Sequence, residues 1–137
     1  RAVEEQMGLH VSELRADKNR VYPSSIKISL MHEDGVTSVS GVDAHGPKTI
    51  EINGYPVESP IRGKKLLICQ NENRPGMVGK VATALGKQNV NIDALNVGTH
   101  PSGESAMMVY VLDAELTLVQ MDTIKSIDGI QTAVQLC

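Results

Sequence analysis

The sequence predicts an α+β fold in two parts, a small α/β domain over residues 1–64 and a βαββαβ layer over residues 65–137. Three observations carry that expectation. Short runs alternate apolar and polar residues between Gly, Pro and Asn punctuation, as half-buried strands do. Val78, Val81, Ala82 and Leu85 recur at i, i+3, i+4 and i+7, which is one face of a helix. Between the two parts, Glu58 to Lys65 holds Ser59-Pro60 and Arg62-Gly63, the best candidate for a domain boundary.

Taken in order, Arg1 to about Gly8 reads as a helix with Ala2, Val3 and Met7 on its apolar side, and Gly8 stops it. Leu9 to Leu14 alternates as a short strand, and Arg15 to Arg20 is a charged loop. Ile26 to Met31 alternates at period two. Glu33-Asp-Gly35 then signals a turn, with Asp34-Gly35 as a hairpin into the β-rich run Val36 to Val42. Ala44-His-Gly-Pro47 breaks that run. Thr49 to Ile52 is a further strand, and Asn53-Gly54 predicts a tight hairpin into Tyr55-Pro-Val57. Pro56 confines that arm to a short or edge position, because proline donates no ladder hydrogen bond.

The second part repeats a strand and helix rhythm. Leu66 to Gln70 is a strand. Pro75 to Gln88 is a helix in which Gly79 and Gly86 lower helix propensity, a cost that close approach of the helix to the sheet would offset. Val90 to Val97 is the second strand, Thr99 to Glu104 a turn, and Ala106 to Leu112 the third strand. Thr117 is placed to cap a helix running to about Ile127 with Met121 and Ile124 inward, ended by Asp128-Gly129. Ile130 to Leu136 completes four strands. Two helices on one face of such an antiparallel sheet make a ferredoxin-like layer.

Composition narrows the function classes. The 137 residues carry a net charge of -3, with 41% hydrophobic residues, three Tyr and neither Phe nor Trp. The core must therefore come from Val, Ile, Leu, Ala and Met. No basic tract is present and stacking rings are scarce, which points away from nucleic acid. No apolar run approaches the roughly 18–20 residues of a membrane span. Cys69, in Leu66-Leu-Ile-Cys69, reads as a small buried hydrophobe, and two cysteines make no disulfide framework, so a reducing compartment, the cytoplasm, is expected. Arg1 is not an initiator residue, so the chain reads as a fragment or processed product.

The polar residues suggest binding rather than catalysis. Asn71, Asn73 and Asn91 flank the first predicted helix, and amides offer both donors and acceptors to an ammonium and a carboxylate. The N–H groups near Gly76 and Met77 add an anion site at the helix start. Asn also serves plainly in turns and caps. Arg74 is a candidate partner for a phosphate or carboxylate, and His45 beside Lys48 in a Gly-rich turn is a second candidate anion site. The other three histidines, His10, His32 and His100, share no ligand spacing with it, so no metal site is expected. No G-x-G-x-x-G, Walker, H-E-x-x-H or G-x-S-x-G pattern occurs, and no catalytic residues are expected.

Residues 66–137 resemble an ACT domain, through Asn73-Arg-Pro-Gly76, Gly86-Lys-Gln-Asn-Val-Asn-Ile92, Gly103-Glu-Ser-Ala106 and Ile127-Asp-Gly-Ile130. Residues 1 to about 65 resemble the intervening, allosteric substrate-binding domain of long D-3-phosphoglycerate dehydrogenases, through Arg1 to Val11, Ser38 to Val42, Gly46-Pro47 and Thr49 to Tyr55. The resemblance implies a non-catalytic regulatory and oligomerisation module that senses L-serine between paired ACT domains. It implies no cofactor here, and an NAD-dependent parent with upstream catalytic domains. By motif position Asn71, Asn73 and Asn91 match the effector residues, and Asn71 stands where a serine-inhibited form carries histidine. Lys48 matches a basic residue of the anion site in some relatives, and Tyr55 stands where such a relative has arginine. The β subunit of iron–sulfur L-serine dehydratase is similar to the same two-domain arrangement. A purely structural dimerisation module is the remaining alternative.

Overall fold

The computed structural model describes residues 9–12, 26–32, 35–43, 47–60 and 64–136. The chain divides into two compact units, Arg1–Arg62 and Gly63–Cys137. The helix expected over residues 1–8 lies outside the described residues.

In the first unit β1 (Leu9–Ser12), β2 (Ile26–His32), β3 (Gly35–Asp43), β4 (Pro47–Ile52) and β5 (Ser59–Pro60) form one antiparallel sheet in sequential order. His32 pairs with Gly35, so Gly35 opens β3 instead of sitting in the turn. Asn53 and Gly54 have φ of 49° and 83°. Positive φ at both central residues is the turn whose twist matches a hairpin, and Ile52 and Tyr55 exchange backbone hydrogen bonds at 3.0 and 2.9 Å across it. Tyr55 to Val57 pairs no further. Contact with β4 resumes at Ser59–Pro60, inside the stretch expected to be linker. The Thr49 hydroxyl bridges the gap by donating to the Val57 carbonyl at 3.0 Å.

The second unit contains β6 (Lys65–Glu72), α1 (Met77–Lys87), β7 (Ile92–Thr99), β8 (Ser105–Leu112), α2 (Leu118–Lys125) and β9 (Ile130–Leu136). Its antiparallel sheet runs β7-β8-β6-β9, the ferredoxin-like order. Leu67, Cys69, Met108, Tyr110 and Leu112 of the sheet meet Val81 and Leu85 of α1 and Met121 and Ile124 of α2. Fully burying one such Leu or Ile contributes about 1.5–3 kcal/mol.

Three helix expectations are corrected. Met77, Val81 and Leu85 form the buried stripe of α1, whereas Val78 is exposed. The helix starts two residues later than expected, at Met77, which lies four residues before Val81 on the buried stripe and leaves Val78 at its margin. Gly79 and Gly86 do not approach the sheet: a Cβ on either would meet nothing within 4 Å. The second strand begins at Ile92, not Val90, because the end of α1 takes those residues. Asn89 sits at φ 62°, and Asn89 and Val90 donate to the Gly86 and Leu85 carbonyls at 3.1 and 3.0 Å. That closure caps the last turn and leaves Val90 buried as its plug.

Candidate functional site

The segment 71–76 joins the end of β6 to the start of α1 and collects most of the predicted site. Asn71 is 3% exposed, and its Nδ2 donates to the Glu72 carbonyl at 2.7 Å. Its Oδ1 is buried without a donor. Exchanging the amide's O and N would set oxygen against oxygen at that short distance, so the orientation is fixed. A buried acceptor left unmet costs about 1–3 kcal/mol.

Gly76 is the N-cap of α1 at φ 89°, with no side-chain cap and no acidic residue in the first turn. The first backbone bond of the helix is Lys80 N to the Gly76 carbonyl at 3.0 Å, so the preceding N–H groups of Met77, Val78 and Gly79 lack helical acceptors. Glycine is needed here for its positive φ and not for space, since a Cβ on Gly76 would meet nothing within 4 Å. Met77 supplies its N–H from the rim while its buried side chain anchors the turn. The Tyr110 hydroxyl donates to the Val78 carbonyl at 3.3 Å, tying this first turn to β8.

The other residues of the loop are held by the neighbouring turns. Asn73 N donates to the Glu104 carbonyl at 3.0 Å and its Nδ2 to the Gly103 carbonyl at 2.8 Å. Glu72 N donates to the Gly129 carbonyl at 2.9 Å. Arg74 pairs with Asp128 through Nη2 at 2.8 Å and approaches Glu72 through Nε at 3.4 Å. That hydrogen bond raises the Arg74 pKa and holds the Asp128 carboxyl below the usual carboxylate value. An anion reaching Arg74 must compete with both carboxylates. Sequence reasoning missed these partners: Asp128-Gly129 reads only as a helix stop, and nothing in its spacing points to Arg74.

Asn91 lies elsewhere. It precedes β7, whose start pairs with Leu112, whereas Asn71 pairs with Ala106 at the other end of β8. A strand of this length separates the two ends by roughly 23 Å. Asn91 N donates to Asp113 Oδ1 at 3.0 Å and its Nδ2 to Asp93 Oδ1 at 3.2 Å. One chain therefore does not bring the three asparagines together. Of the second candidate site, His45 lies outside the described residues, and Lys48 is in β4 opposite Val42.

The buried Cys69 thiol is pushed up to about 12 by burial and stays protonated. Burial, and then proximity to Cys69, also raises the Tyr110 phenol. Among the described residues no group of three or more His, Cys, Asp or Glu is arranged to hold a metal, and no helix is long and apolar enough to cross a membrane.

Residues 65–129 match the ACT domain family. The chain is 28% identical over 143 residues to D-3-phosphoglycerate dehydrogenase 2, chloroplastic, of Arabidopsis thaliana, covering 94% of this chain and 23% of that protein. It is 30% identical over 111 residues to D-3-phosphoglycerate dehydrogenase of Methanocaldococcus jannaschii, covering 80% of this chain and 21% of that protein. A probable L-serine dehydratase β chain of Bacillus subtilis is 23% identical over 130 residues, covering 93% of this chain and 59% of that protein. The chain thus spans about a fifth of the length of the dehydrogenases it matches. Residues 65–129 are an ACT domain, carried on a chain similar to the C-terminal region of D-3-phosphoglycerate dehydrogenases.

Proposed function

We propose that this chain is the non-catalytic regulatory and oligomerisation module of a D-3-phosphoglycerate dehydrogenase, and that it senses L-serine between two ACT domains. The observation that carries the proposal is Asn71 Oδ1, a buried acceptor without a donor, in the same short loop as an uncapped helix N-terminus. An amino acid offers the complementary pair: its ammonium can donate to the oxygen, and its carboxylate can accept from the N–H groups.

The position of Asn91 supports an interface. The β7 edge has no partner strand among the described residues. If two β7 edges pair antiparallel about a twofold, Asn91 of one copy comes to the end of the sheet that carries Asn71 and Asn73 of the other. Serine then bridges subunits and shifts a quaternary equilibrium, changing a distant active site through its differential affinity for the two states. The parent enzyme oxidises 3-phospho-D-glycerate with NAD at the entry to serine synthesis. The upstream catalytic domains of the parent hold the NAD, since this chain has no G-x-G-x-x-G pattern. A cytoplasmic setting suits the free, buried Cys69.

The larger share of the L-serine dehydratase β chain that is covered, 59%, favours a second reading, in which the same module serves that enzyme. Activity of the complete parent distinguishes the two: NAD-dependent oxidation of 3-phosphoglycerate against deamination of serine.

Calorimetry with L-serine, with D-serine and glycine as controls and light scattering on the same samples, tests the proposal. Saturable L-serine binding to a dimer is expected. Asn71→Leu should abolish it while leaving stability within about 1 kcal/mol, because an unmet polar atom is exchanged for an apolar one of similar volume. Asn73→Ala and Asn91→Ala should each weaken binding. Mixing those two variants should restore about a quarter of the sites, since random pairing gives half heterodimers with one intact site each. No heat at millimolar L-serine in a folded dimer would leave an assembly module only.

A further inference from the structure

We propose that the opposite edge of the ACT sheet, β9 together with the first turn of α2, is a second self-association surface, on which β9 of another copy pairs antiparallel. It uses neither the serine loop nor β7, and so goes beyond the effector proposal.

Four of the six large hydrophobic side chains exposed among the described residues belong to these two elements, two on each face of this edge: Leu118 at 83% and Val119 at 75% on α2, Val134 at 56% and Leu136 at 54% on β9. Ala133 faces the helix-side core, so Val134 and Leu136 point to the other face of the sheet, while Gln135 ties the helix side of the same edge to α2. Its Oε1 accepts from Leu116 N at 3.0 Å and its Nε2 donates to the Leu116 carbonyl at 2.8 Å, so α2 begins beside the last residues of β9. Single exposed hydrophobics need no explanation, but a cluster marks an interaction site.

The backbone points the same way. β9 bonds to β6 on one side, and on the other it has no partner strand among the described residues. Free edges are usually protected by charge, proline or a bulge. Ile130–Leu136 reads IQTAVQL, with no charge and no proline, and its one register shift lies at its start, opposite Gln70 and Asn71. Thr132 to Leu136 is an unprotected template.

Charge selects the occupant. Glu115 precedes α2 at the end of β9, and Lys125 closes α2 near the start of β9. An antiparallel twofold pair sets Lys125 of each copy against Glu115 of the other, whereas a parallel pair sets like against like. No charge within β9 opposes its symmetry mate. Val134 and Leu136 of the two copies join into one apolar strip, as cross-strand pairs do. The interface is isologous, and combined with a β7 interface it builds assemblies larger than a dimer.

Light scattering and sedimentation of the full 137-residue chain across concentration, with circular dichroism as the folding control, test this. The wild-type mass should exceed two chains at high concentration, and Val134→Lys should cut it by about half, with faster hydrogen exchange at β9 amides. Glu115→Lys should weaken assembly, and Glu115→Lys with Lys125→Glu should restore it, a rescue that no unrelated partner would give. A fall from dimer to monomer in Val134→Lys would support the β9 surface and break the β7 proposal. A wild-type mass that Val134→Lys leaves unchanged, or a double variant that fails to reassemble, overturns the inference.

Discussion

The two helices of the ACT domain solve the same problem in opposite ways. Each begins with N–H groups that the helix cannot satisfy. α2 meets them from its own chain: Thr117 Oγ1 accepts from Gln120 N at 3.2 Å, and Gln120 Oε1 accepts from Thr117 N at 2.8 Å, a reciprocal box. α1 starts at Gly76 with no capping side chain. Its other end is closed by the Asn89 turn over the buried Val90. α1 is therefore well formed, with one terminus left open. That terminus shares its loop with the unmet Asn71 Oδ1. The contrast shows that the opening is local to the start of α1 and is not a general looseness of the fold.

The sharpest way to break the contrast is Gly129→Ala. Gly129 has φ 96°, and a Cβ there would lie 2.7 Å from Arg74 Nη2 and from Met77 Sδ. Arg74 can swing outward, but Met77 is 2% exposed and must repack. With the cost of positive φ for a non-glycine residue, a loss of about 2 kcal/mol is expected, read by urea unfolding. The displaced Arg74 and Met77 should also disturb the start of α1. Thr117→Ala should cost about 1 kcal/mol by removing the cap of α2. It should leave L-serine affinity unchanged, so a loss of affinity would show that the two helix starts are coupled.

The smallest effect concerns the Arg74–Asp128 pair. The pKa of Asp128 is lowered from its ordinary value of 3.8, so its contribution is complete above that value. It is lost as pH falls through the lowered folded value, because the unfolded state then binds the proton more readily. Both groups are solvent-facing, so the change in stability should be slight and screened by salt. An NMR titration should place Asp128 below the ordinary aspartate midpoint, and Arg74→Ala should return it there.

Much of the ACT fold was readable because its signals are local. Thr117 capping, the inward Met121 and Ile124, the turn that follows Thr99 and the buried Cys69 each follow from a few neighbouring residues. The miss at Val78 arose because apolar residues three and four before Val81, Val78 and Met77, both fit one helix face, and only packing shows which of them is buried. β8 was harder to read as a half-buried strand: Ala106 to Leu112 are all buried, so they lack the alternation that marks a sheet with one wet face. The linker assignment missed Ser59–Pro60 because a two-residue strand leaves almost no periodic trace.

For the candidate site the division is clear. Residue type alone determined where the loop would lie and that it would carry amides, a Pro-Gly step and an open helix start. Only the tertiary structure decided what each group does. Arg74 is drawn to Asp128, Asn73 to the 103–104 turn, and Asn71 inward with one oxygen unmet. Asn91, twenty residues after Asn71, is carried to the far end of the sheet. The physical reason is that hydrogen-bond partners and burial are set by contacts between segments distant along the chain, which local propensity does not encode.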